Sequence, residues 1–139
     1  MRELEQYFKA LADSTRLRIL NLLLQGELCV CDFQYVLDIS QPTASRHLAY
    51  LKNSGMVLDN RDGYRIFYRL ADRDHHLKKL LYDFLRDAFR DQAQLKGDTR
   101  RLEEAVSAGA CALSESTPHA GIDVAAAGLA SATTTSTKR

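Results

Sequence analysis

The 139-residue chain is short of the features that announce most functions. It carries three cysteines and a formal net charge of only +1. Two of the thiols, Cys29 and Cys31, lie too close to pair comfortably, which excludes a disulfide framework. No apolar run approaches a membrane span, and the start Met1-Arg2-Glu3-Leu4-Glu5 has no secretory apolar core. A soluble cytoplasmic protein with reduced thiols is the expectation. The near-neutral charge excludes a uniformly basic nucleic-acid binder, although a basic stripe inside a neutral average stays open. No Ser/His/Asp, Cys/His/Asn or Gly-rich phosphate pattern stands in a suitable context, and a domain this small has little room for a substrate pocket, so an enzyme is not expected. No internal repeat is present.

What is there is helical periodicity with one interruption. At 45% apolar residues the chain supports one domain with a modest core. Leu4, Tyr7, Phe8 and Leu11 recur at helical spacing. Asp13 is placed as the N-cap of a second helix through Leu24, and Gly26 suits its left-handed end. Phe33, Val36 and Leu37 predict a short third helix beginning near Cys31 or Asp32. Ser40 caps a fourth, with Pro42 tolerated in its first turn, Ala44, Leu48 and Leu51 on its inner face and Gly55 ending it. The third and fourth helices, joined by a tight link at Asp38-Ile39-Ser40, read as a helix-turn-helix. Residues 56–60 and 64–70 alternate around Arg61-Asp62-Gly63 and predict a hairpin, the wing of a winged helix.

A last helix is expected from about Asp74 to Leu95, striped by Leu77, Leu80, Leu81, Phe84, Leu85, Ala88 and Phe89. One protomer offers little beyond the first helix to cover that stripe, so a homodimer through the first and last helices is inferred. The expected fold class is mainly α with a small β-hairpin, a homodimeric winged helix-turn-helix. Its domain covers 1–96; the pattern decays after Gly97, and 97–139, rich in Ala, Ser, Thr and Gly beyond Ser107, is expected to be a mobile tail.

Cys29 and Cys31 sit in Glu27-Leu28-Cys29-Val30-Cys31-Asp32, just ahead of the expected reading helix. Residues two apart share a face in extended backbone and diverge by roughly 200° in a helix. One soft ion gripped by both sulfurs would therefore favour a non-helical entrance to the third helix, coupling ion binding to backbone shape. Two small cysteines packing a core is the plainer alternative.

Taken together, Leu11-Ala12-Asp13-Ser14-Thr15-Arg16-Leu17-Arg18-Ile19-Leu20, Glu27-Leu28-Cys29-Val30-Cys31-Asp32, Ser40-Gln41-Pro42-Thr43-Ala44-Ser45-Arg46-His47-Leu48 and the Gly63 wing resemble the ArsR/SmtB family of homodimeric winged-helix repressors over about residues 1–95. The Cys-Val-Cys stretch is similar to the arsenic-responsive branch. That resemblance implies a repressor that leaves its operator when trivalent arsenic or antimony binds Cys29 and Cys31. Members of the branch often place a third cysteine where this chain has Gln34, so solvent, a small thiol or Cys111 is left as the third ligand. Zinc-sensing relatives carry Asp-x-His on the final helix and further ligands downstream. Asp74-His75-His76 supplies the first part, but the downstream positions are Asp87 and Arg90, and an arginine cannot ligate a metal. His75 and His76 are then expected to be solvated residues at the helix start. Thiolates alone suit a soft metalloid better than zinc, and the helix N-terminus favours thiolate while Asp32 opposes it.

On the fourth helix Gln41, Thr43, Ser45, Arg46 and His47, with Lys52 at its end, are expected to face DNA, with Arg61, Tyr64 and Arg65 of the wing on its backbone or minor groove. Alternatives on the same fold are a Zn/Cd-responsive repressor, a thiol-redox-responsive one and a constitutive DNA-binding dimer.

Overall fold

In a computed structural model of the chain, residues 1–72 and 75–108 are described. Helix α1 (Arg2–Leu11) buries Tyr7 and Ala10. Helix α2 (Ser14–Leu23) begins where the Asp13 carboxylate accepts the Arg16 N–H at 3.0 Å, satisfying one of the free donors of the first turn. Strand β1 (Leu28–Cys29) leads directly into α3 (Val30–Leu37). Asp38 then takes φ 56°, ψ 53°, a left-handed conformation that Asp tolerates better than most side chains, and the chain turns in two residues to the Ser40 cap of α4 (Gln41–Asn53). The Ser40 hydroxyl accepts the Thr43 N–H at 3.3 Å.

The wing is β2 (Val57–Asp62) and β3 (Arg65–Leu70), paired antiparallel. Asp62 pairs with Arg65, so the strands run closer to the tip than expected and the turn is Gly63-Tyr64 rather than Arg61-Asp62-Gly63. Gly63 has φ +69°, open to glycine at little cost. Strand β1 adds to the other edge of β3, giving the order β1-β3-β2 with Leu28 opposite Tyr68 and Cys29 opposite Phe67. This third strand was not expected.

The single final helix is two. Helix α5 (His76–Phe89) ends as Arg90 and Gln92 donate their N–H groups to carbonyls three residues back, and α6 (Ala93–Ala108) returns over α2 and α3. Leu95, Leu102 and Ala105 are buried there. The fold therefore runs across the boundary expected at 96/97, and 97–108 is packed helix; residues 109–139 of the expected tail lie outside the described residues. The apolar positions of α6 are sparse because polar pairs do much of the docking. Arg18 holds Asp98 in a two-pronged ion pair, both contacts 2.8 Å, and Asn21 donates to the Leu95 carbonyl and to Thr99 Oγ1, each at 3.2 Å. Arg101 donates to the Tyr35 carbonyl of α3 at 3.1 Å.

One core joins these elements, from Tyr7 through Leu22, Leu28, Phe33, Leu48 and Met56 to Tyr82 and Leu102. Tyr82 is fully buried and donates its hydroxyl to the Met56 carbonyl at 2.9 Å, so its polar end stays satisfied.

Candidate functional site

Cys29 is the last residue of β1 and the N-cap of α3, with extended backbone (φ −93°, ψ 161°). Its sulfur accepts the Cys31 N–H at 3.3 Å, and its own N–H donates to Asp32 Oδ2 at 2.8 Å. This is a capping box with sulfur in the place of a hydroxyl, and it explains why α3 begins at Val30, earlier than the apolar pattern indicated. The Cys29 side chain is 4% exposed and packs against Phe67; Cys31 is exposed. The Cys31 thiol also hydrogen-bonds Cys29, so the two sulfurs adjoin at the entrance to α3.

The Cys31 thiol is pushed up to about 12, first by partial burial, then by the hydrogen bond with Cys29 and the negative charges of Asp32 and Cys29. Arg65 of β3 pulls the other way. The helix N-terminus does not win; the thiol keeps its proton.

Helix α3 packs against α4. On α4, Gln41, Arg46 and Lys52 are exposed, while Thr43 and Ser45 are half-buried. Gln41 donates to Ser45 Oγ at 2.7 Å, and Lys52 pairs with Asp59 of β2 at 2.9 Å. Arg61 and Tyr64 are exposed at the wing tip; Arg65 is half-buried.

His47 turns inward instead, with Nδ1 3.8 Å from Asp13 and 3.4 Å from Arg16. Burial, followed by the charges of Arg16 and Arg46, lowers its pKa against the pull of Asp13. Arg16, part of the Leu11–Leu20 stretch but given no role by the sequence, is the centre of this cluster. It donates to the Ala10 carbonyl at 2.8 Å and to the Lys9 carbonyl at 3.1 Å, and lies 4.1 Å over the Tyr50 ring. It thereby ties the end of α1 to α4. Only tertiary contact reveals it.

The other expected metal positions are not drawn together. His75 precedes α5 with Nε2 3.9 Å from Glu3, and Arg90 pairs with Asp87 at 2.8 Å. Among the described residues no three His, Cys, Asp or Glu side chains form a cluster that could hold a metal. Asp74 and Cys111 lie outside the described residues.

The arrangement of α3, α4 and the β2–β3 hairpin defines a winged helix-turn-helix protein. Residues 13–58 match the pattern of the bacterial regulatory proteins of the arsR family. The arsenical resistance operon repressor of Escherichia coli K12 is 44% identical over 99 residues, spanning 70% of this chain and 82% of the relative. The arsenic resistance transcriptional regulator ArsR1 of Pseudomonas putida KT2440 is 50% identical over 98 residues, covering 70% and 75%. Among solved structures, the homodimeric winged helix-turn-helix DNA-binding domain of Mb0332 from Mycobacterium bovis shares 33% identity with a TM-score of 0.57, covering 66% of this chain and 82% of that one. The chain belongs to the ArsR family.

Proposed function

We propose that the protein is a metalloid-responsive transcriptional repressor that binds operator DNA as a dimer and releases it when trivalent arsenic or antimony bridges Cys29 and Cys31. The observation that carries this reading is the pair of adjoining sulfurs at the capped entrance to α3, one residue from the sheet and one helix from α4. The arsenical-resistance names of two close relatives support it.

The chemistry of the donor set fits. A thiol reacts with a trihydroxy metalloid without ionising first, because each S–H proton leaves with a hydroxide as water. A divalent cation brings no such base and must expel the protons into solvent. Two sulfurs also fall short of the four ligands that structural zinc sites require. Bridging the sulfurs changes the group that caps α3, and α3 bears on α4. Couplings of this kind amount to about 1–3 kcal/mol, a change in operator affinity of roughly 5–150-fold.

DNA is met by Gln41, Thr43, Ser45 and Arg46 in the major groove, with Lys52, Arg61 and Tyr64 on the backbone. His47 holds the reading helix from behind. The second copy is seated on α1 and α5, where Leu4, Phe8 (59% exposed), Leu80 (52%) and Phe84 (63%) leave a large apolar surface uncovered within one protomer. No helix among the described residues is long and apolar enough to cross a membrane.

The test is operator affinity titrated with arsenite, antimonite, cadmium and zinc under reducing conditions, for the wild type, Cys29→Ser and Cys31→Ser. Arsenite and antimonite are expected to release the wild type while both variants stay bound. Release of either variant by arsenite, or of the wild type by peroxide alone, would overturn the reading.

A further inference from the structure

Strand β1, which ends at Cys29, shares one sheet with the two strands of the wing. In an antiparallel pair, residues directly opposite project from the same face, as do residues two apart in one strand. Cys29 lies opposite Phe67, and the two side chains pack together in isolation from the main core. Arg65, two residues before Phe67, is on that same face. The ladder ends at Cys29 and α3 begins at Val30, so Arg65, two residues along β3 from the partner of Cys29, stands beside the entrance to α3. Exposure agrees with this placement: Arg61, Asp62 and Tyr64 at the tip are exposed, whereas Arg65 is half-buried. Its charge acts on the Cys31 thiol against the effects of burial and of Asp32.

Trivalent arsenic needs three ligands. The described residues contain two cysteines, Cys29 and Cys31, and the position one helical turn on is Gln34. We propose that Arg65 is a specificity residue of the sensor, its guanidinium donating to an oxygen that completes the arsenic site alongside the two sulfurs. The reaction balances without a further thiol: As(OH)3 and two R–SH give (RS)2As–OH and two waters. Two As–O bonds break and two As–S bonds form. Each thiol proton leaves on a departing hydroxide, and arsenic stays trivalent throughout. The remaining As–OH oxygen is an acceptor, and a guanidinium carries only donors. The inference rests on the metalloid reading above and names what that site selects: an inorganic, oxygen-bearing metalloid over one whose third position is a carbon.

The experiment is metalloid binding by the full-length, DNA-free protein, with arsenite and methylarsonous acid as probes, for the wild type, Arg65→Gln and Arg65→Lys. Arg65→Gln is expected to weaken arsenite about tenfold or more, the loss of a charge-assisted hydrogen bond. It should leave methylarsonous acid within about twofold, with Arg65→Lys intermediate for arsenite; circular dichroism checks that each variant folds. X-ray absorption at the arsenic edge of the wild type, which needs no variant, should show two sulfurs and one oxygen, unchanged in Cys111→Ser. Equal weakening of both probes, no weakening of either, or three sulfurs in the wild type would overturn the proposal. Normal arsenite binding without operator release would instead sink the functional reading and leave the Arg65 contact standing. A wild type that binds no arsenite would end both.

Discussion

Helices α2 to α4 and helix α6 are held by different physics. Each of the first three opens on a side-chain cap within three residues, from Asp13, Cys29 and Ser40 in turn. Helix α6 depends on partners 66 to 80 positions away, through Arg101 with Tyr35 and Arg18 with Asp98. Local caps leave a mark in the sequence, at the position where they act. Long-range polar pairs leave none, because a charged residue on a helix looks the same whether it meets water or a distant arginine.

The sharpest way to break this contrast is Asp98→Asn. It leaves the partly buried Arg18 without its counter-charge and should cost about 3 kcal/mol, the low end for a broken buried pair because Arg18 keeps some contact with water. Equilibrium urea denaturation measures it. A change near zero would mean that α6 is an ornament on a fold that stands without it.

Asp13→Ala removes one local cap and should cost about 1 kcal/mol in the same assay, the usual value for losing an N-cap side chain. Cys29→Ser separates two roles of one atom. Serine is a good N-cap, so stability should fall by less than about 1 kcal/mol, while any arsenite-driven release of the operator should vanish. A large loss of stability would instead show that the sulfur's packing on Phe67 matters more than its cap.

The smallest effect expected is a pH dependence. The His47 pKa lies below its ordinary 6.5 because of burial and the charges of Arg16 and Arg46. Below that pH the unfolded chain takes up the proton more readily than the folded one, so stability should decline as pH falls through 6.5. Asp13, held below 3.8 by the Arg16 N–H and the nearby cations despite its burial, adds stability that is present above 3.8 and lost in more acid solution. His47→Gln should flatten the limb near neutrality and shrink the acid one only in part, since the Arg16 N–H and charge still hold Asp13 down.

Much of the winged helix was legible before any coordinates. Asp13, Ser40 and Pro42 mark helix starts, and the alternation around Gly63 marks a hairpin, because each acts on its own or adjacent backbone. Of the candidate site, the extended backbone at Cys29 was legible, whereas the helical start at Val30, which puts Cys31 inside α3, was not. The sulfur cap was hidden only by its atom type: Cys29 and Asp32 stand three apart, as the residues of a capping box do, and a hydroxyl in place of the thiol would have announced it.

Other features were out of reach. That α5 and α6 are two helices follows from where Leu95, Leu102 and Asp98 find partners on α2 and α3, not from any proline or glycine at the break. That His47 faces inward depends on which elements lie beneath it. The amino-acid order by itself determined the caps, the turns and the alternation of faces, since these are settled within a few residues. Tertiary packing decided which charged side chains meet one another, which strand lies beside the cysteines and where the last helix folds back, because those choices are made between segments that the chain keeps far apart.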